Sequence, residues 1–139
     1  MAKETAESLI EDFLAIGVKD RLSLLLEFSE NLPALPERYV DHPDLLERVE
    51  ECQSPIFLFV EVSHGLVHLF FSAPPEAPTT RGFASILHSV IDGLTIQEVL
   101  DFDDDFPSKI GLTEAVSPLR IRGMRGMLAR IKRQVREKQ

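Results

Sequence analysis

Apolar residues recur along this chain with two different periods, and the places where the period switches outline its elements. Ala6, Leu9, Ile10, Phe13 and Leu14 stand at helical spacing over residues 5–16, and Gly17 follows as a stop signal. Asp20 is placed to cap a second helix reaching Ser29, with Leu22, Leu25 and Leu26 inward. Pro33 and Pro36 then break the chain into a loop over 31–43, and 44–48 reads as a short turn of helix. After Cys52 the period changes. Residues 56–62 are β-branched and aromatic and too few for a helix, Ser63-His64-Gly65 makes a turn, and 66–71 returns as a second strand. The hairpin has little polar alternation, so both of its faces are expected to be largely covered. Pro74, Pro75 and Pro78 end the strand. Thr79 or Thr80 then caps a helix with Phe83, Ile86, Leu87, Val90 and Ile91 on one side, stopped at Gly93. Thr95-Ile96-Gln97-Glu98 is a capping box opening a short helix. Ser117-Pro118 is a cap followed by proline at the first helical position. It opens a last helix of about five turns that buries Ile121, Met124, Leu128, Ile131 and Val135. The order α–α–β–β–α–α–α predicts an α+β fold, helices packed on a small antiparallel sheet, in a single domain over 1–139.

Composition narrows the class. With 139 residues, 44% hydrophobic and 27% charged, the chain has the make-up of a globular domain with a real core. No run approaches the length of a membrane span, and Met1 to Thr5 carry no apolar stretch, so neither a membrane segment nor a secretory signal is expected. A single cysteine without a disulfide framework fits a reducing compartment, and the cytoplasm is the expected location. The net charge of −8 argues against nucleic acid as the main partner. That charge is uneven: residues 118–139 hold eight of the fifteen basic residues and one acid, for +7, which leaves −15 for residues 1–117. The basic helix reads as a solvated face complementing its own dipole, or as a docking surface. Asp101, Asp103, Asp104 and Asp105 lack the glycine and glutamate register of a calcium loop and read as a solvated acidic turn.

Cys52 is the candidate for chemistry. A lone thiol closes no internal disulfide and cannot supply the several soft ligands of a zinc or iron–sulfur site. Free cysteine is most often a buried small hydrophobe, but it can act alone as a nucleophile or as the carrier of one sulfur atom. His64 and His68 have the spacing of a metal pair, yet on one strand four residues span roughly 13 Å, too far to share an ion. His88 lies on a helix flank, and no Gly-rich phosphate loop or nucleophile elbow is present, so a Cys–His hydrolase is weakly supported. Sulfur carriage fits better. A thiol at a helix–strand junction can reach a partner, and with no second cysteine a persulfide on it cannot collapse into an internal disulfide.

Cys52-Gln53-Ser54 ahead of an apolar strand resembles the SufE family of sulfur acceptors, which work with cysteine desulfurases in iron–sulfur cluster assembly. Asn31-Leu32-Pro33-Ala34-Leu35-Pro36, Arg81-Gly82-Phe83, Gly93-Leu94-Thr95, Gly111-Leu112 and Ser117-Pro118-Leu119-Arg120 with Gly123 and Met127 are similar to the family's other blocks, in the family's order. The resemblance implies that Cys52 accepts sulfur from a pyridoxal-phosphate-dependent cysteine desulfurase and passes it to an iron–sulfur scaffold protein, with no cofactor of its own. It implies that the protein is an activator and carrier rather than an enzyme. Arg120 matches a family arginine and is a candidate stabiliser of the sulfur site; its other reading is a surface ion pair at a helix start. Gln53 and Ser54 could brace the turn or simply be turn residues. An interaction module that regulates a desulfurase without carrying sulfur is the alternative function. In one respect the chain departs from the family, which usually has glycine directly before the cysteine: here Glu51 stands there, after Glu50. Glutamate does not readily take the φ > 0 open to glycine, and a neighbouring carboxylate raises a thiol's pKa. The acids are expected to keep the thiol quiet until a partner's basic site neutralises them.

Overall fold

The computed structural model describes residues 5–139; the expectation of no signal segment rests mostly on Met1 to Glu4, which lie outside the described residues. Among the described residues seven helices and a three-stranded antiparallel sheet make the expected α+β fold, with two more helices and one more strand than the periodicity predicts. Helix α1 (Ala6–Leu14) starts at a Thr5 capping box and buries Leu9 and Phe13, but Leu14 is exposed. Helix α2 (Val18–Glu30) begins earlier than expected. Its N-cap is Gly17, and Asp20 lies in the first turn, where a carboxylate still complements the dipole. Leu25 is its fully buried leucine; Leu22 is half-buried and Leu26 exposed, so the inward face is narrower than the leucine pattern suggested.

The loop over 31–43 is not featureless. It contains α3 (Glu37–Val40), whose Tyr39 is buried and packs on Phe59 and Phe70 with ring centroids 5.1 and 5.0 Å away. Where a helical turn was expected at 44–48, a 3-10 turn (Pro43–Leu45) leads into β1 (Glu47–Arg48), which pairs with β2 (Phe57–Ser63). The predicted hairpin of β2 and β3 (Leu66–Ser72) is present and pairs from Phe57↔Ser72 to Ser63↔Leu66. His64 (φ 54) and Gly65 (φ 78) form its two-residue turn with both residues at positive φ, the twist-compatible hairpin geometry. Covering is unequal on the two faces. Leu58, Val60, Val67, Leu69 and Phe71 are buried, whereas Phe57, Phe59 and Phe70 are half-buried, the last two under Tyr39.

Helix α4 (Pro78–Ile91) is the core helix, with all five predicted apolar positions buried. Its cap is Ala77, without a side-chain hydrogen bond, and Pro78 takes the first helical position; neither Thr79 nor Thr80 is the cap. Gly82 is required where α4 meets α2: a Cβ there would lie 2.6 Å from both Cδ1 and the backbone oxygen of Leu25. The capping box at Thr95 opens α5 (Ile96–Leu100), followed by α6 (Phe106–Lys109) and α7 (Pro118–Lys138), the latter capped by Ser117. All five expected positions of the α7 stripe are buried, and α7 lies across β2 and against α4 and α5. The end of α7 also finishes the sheet edge where β1 stops. The Val60 amide donates to Gln134 Oε1 at 2.9 Å, and Lys138 Nζ donates to the Val60 carbonyl. No helix among the described residues is long and apolar enough to cross a membrane.

Candidate functional site

Cys52 sits in the turn between β1 and β2, and the backbone closes that turn on itself. The Val49 amide donates to the Ile56 carbonyl at 2.9 Å, and the Cys52 amide donates to the Val49 carbonyl at 3.1 Å. Val49 and Ile56 are fully buried, so both ends of the turn are anchored in the core. Among the described non-glycine residues only His64 has positive φ, so Glu51 occupies the usual glycine position without a left-handed backbone.

The thiol faces inward. Cys52 is 7% exposed and belongs to the hydrophobic core, so it is not displayed for reaction at rest. It lies over Gly123 of α7, where a Cβ would stand 2.8 Å from Sγ; glycine is what lets the turn settle so closely on the helix. Beside the thiol is a cleft of ≈ 300 Å³ walled by the Cys52 turn, the segment from Glu76 to Thr80 that leads into α4, and the start of α7. Arg120 is exposed and lies on the wall formed by α7, so the fold brings together the two candidate residues of the sequence reading. Gln53 and Ser54 also line it, on the turn itself.

Burial, and after it the Glu51 carboxylate, push the Cys52 thiol up from 9.0 to about 11, while Arg130 acts in the opposite direction. Arg130, which the sequence reading missed, is a cation that draws the thiol's pKa back down. Arg130 Nη1 pairs with Glu51 Oε1 at 2.6 Å, and Arg130 Nε stands 3.4 Å from Glu47 Oε2. Glu51 lies over Gly126, where a Cβ would come within 2.7 Å of its carboxyl carbon. Glu51 thus has a basic partner inside the chain at rest, which the sequence reading did not foresee.

No histidine lines this cleft. His64 is in the hairpin turn, and His68 and His88 both face Asp92, at 3.5 and 3.6 Å. Among the described residues no group of three or more histidines, cysteines or carboxylates has the geometry to hold a metal ion. The acidic run is tied down by bases: Asp103 to Lys109, Asp104 to Lys132 and Asp105 to Arg125.

Comparison with known proteins places this arrangement. Residues 7–135 match the SufE family, described as an Fe-S metabolism associated domain. An uncharacterized SufE-like protein of Mycobacterium tuberculosis is 50% identical over 130 residues, covering 93% of this chain and 90% of that protein. The chloroplastic/mitochondrial SufE-like protein 1 of Arabidopsis thaliana is 26% identical over 112 residues, 79% of this chain and 29% of its own length. In solved structures the fold recurs in a hypothetical protein from Thermus thermophilus, with a TM-score of 0.84 and 35% identity over 99% of this chain and 97% of that one. The chain belongs to the SufE family, whose domain is one of iron–sulfur metabolism.

Proposed function

We propose that the protein is a sulfur carrier, in which Cys52 accepts the sulfane sulfur of a pyridoxal-phosphate-dependent cysteine desulfurase and delivers it to an iron–sulfur scaffold. The observation that carries this reading is the placement of the chain's one thiol beside a cleft with Arg120 on its wall, in a SufE domain. The chemistry balances without a cofactor. The Cys52 thiolate attacks the outer sulfur of the desulfurase persulfide, the S–S bond of that persulfide breaks, and the desulfurase thiolate leaves. Cys52 then holds a persulfide, and no net oxidation has occurred. Arg120, free to reach the cleft from the first turn of α7, would hold the anionic outer sulfur after transfer.

Burial of the thiol favours one other reading, an interaction module that stimulates a desulfurase without taking sulfur from it. Incubation with a desulfurase and cysteine, followed by intact-mass analysis, separates the two. The carrier gains one sulfur on Cys52, and Cys52→Ser, a near-isosteric change that leaves the fold in place, gains none. Desulfurase stimulation that survives in Cys52→Ser, with no sulfur found on the wild-type chain, would establish the module and end the carrier reading.

A further inference from the structure

The Glu51 and Arg130 side chains hold the thiol-bearing turn on α7 in a way that the reacting atoms do not require. Arg130 Nη1 and Glu51 Oε1 are 2.6 Å apart, and the arginine side chain is only 17% exposed. The contact is buried as well as close: Glu51 Oε1 and Arg130 Nε are shielded from solvent, and their partners are each other's side chains and Glu47. Two glycines one helical turn apart make the approach possible. Gly123 receives the Cys52 thiol and Gly126 receives the Glu51 carboxylate, and a Cβ at either position would meet them at 2.8 or 2.7 Å. From the same helix Arg130 reaches back over Gly126 to the acid. Its other neighbour, Glu47, is independently held by Arg133 and Gln134.

We infer that Arg130 is a positioning residue for sulfur transfer: through Glu51 it latches the Cys52 turn to α7 in a closed state, and the thiol becomes reactive when that pair parts. The inference rests on the reading of Cys52 as the sulfur acceptor, and it adds the element that governs when the acceptor is available. A partner that brings its own charge to Glu51 or Arg130 would open the turn by competing for the latch.

The latch and simple electrostatics predict opposite signs for one substitution. Arg130 lowers the thiol's pKa, so removing it would slow alkylation if charge were its only effect. If it is a latch, Arg130→Ala speeds alkylation of Cys52 by uncharged iodoacetamide at neutral pH, by about 3- to 10-fold for the loss of one partly buried pair. Arg130→Ala should add nothing in a Glu51→Ala background, and Arg130→Lys should stay near the wild-type rate. Amide exchange of the full chain supplies a second reading that is blind to thiol pKa: peptides over 49–56 exchange faster in Arg130→Ala while those of β2 and β3 do not. If Arg130→Ala raises exchange everywhere, Glu51→Gln takes its place, since it leaves the pairs of Glu47 intact. Slower or unchanged alkylation in Arg130→Ala, persistence of its effect in the Glu51→Ala background, or unchanged 49–56 exchange in Glu51→Gln overturns the latch. None of these measurements involves a desulfurase, so absence of sulfur on Cys52 would remove the carrier reading and leave the latch standing.

Discussion

On the proposed carrier reading the Cys52 thiol must meet a partner's persulfide, yet it rests 7% exposed, with its proton held by burial and by a glutamate next to it in sequence. Both influences disfavour the thiolate, so the resting protein is poorly reactive by construction. Arg120 lies on the wall of the same cleft but is exposed. We therefore expect Arg120→Ala to leave iodoacetamide alkylation of Cys52 within about twofold of wild type, because an exposed charge is strongly screened. The same variant should lower sulfur loading from a desulfurase severalfold, as the outer persulfide sulfur loses its charge-assisted partner. A large fall in alkylation would instead place Arg120 on the thiol itself. Cys52 is legible as a candidate because it is the one cysteine and stands in a recognisable triplet. Arg130 is not, because its contact with Glu51 depends on the turn and the helix meeting across the fold. Its trace was present nonetheless: Gly123 and Gly126 at a spacing of three mark a closely approached helix face, and Arg130 lies four residues on.

Elements with a strong internal period were readable, and elements defined by a neighbour were not. α4, α7 and the β2–β3 hairpin follow from their apolar spacing and turn residues. β1 has two residues, both charged, and is a strand only because β2 supplies its pairing. The caps at Asp20, Thr79 and Thr80 failed for a related reason. Gly17 and Ala77 start their helices one turn or less earlier, both without a side-chain cap, and at α4 Pro78 removes one of the amides that a cap would have to satisfy. The element that seats the Cys52 turn is the glycine face of α7. Alanine in place of glycine in an exposed helix interior gains about 1 kcal/mol. At Gly123 the added Cβ would stand 2.8 Å from the thiol, so the turn must shift. We expect Gly123→Ala to lose about 1–3 kcal/mol in denaturant unfolding and to raise Cys52 alkylation as the turn lifts. A stabilised variant with an unreactive thiol would show that the turn has room to yield.

Across the whole molecule the uneven charge is resolved by the fold. Four of the eight basic residues of α7 are committed within the chain: Arg125, Arg130, Lys132 and Arg133 pair with acids from the Cys52 turn, β1, the 103–105 run and α7 itself, while Arg120, Arg122 and Arg136 are exposed. Lys132 also caps the end of α5, donating to the Leu100 carbonyl at 3.2 Å and to that of Phe102. The helix that carries the core stripe thus also organises the acidic segments, and the Cys52 turn is one of them. A global consequence follows from the buried thiol. Its pKa is about 11 in the folded chain against an ordinary 9.0, so the folded state binds the proton more tightly than the unfolded state. A group with a raised folded pKa contributes stability that is complete below the unfolded value and is lost as pH rises through the folded one. The window is therefore pH 9.0 to about 11. Lysine and tyrosine titrations fall in the same range, but they are common to wild type and Cys52→Ser. The gap in unfolding free energy between the two proteins should thus be steady up to about pH 8.5 and shift against the wild type by about 1–2 kcal/mol near pH 10.5. Denaturant melts of both proteins at the two pH values measure it. A gap that does not move would mean that the thiol ionises as readily in the folded chain as in the unfolded one, and that the turn over α7 is open to water.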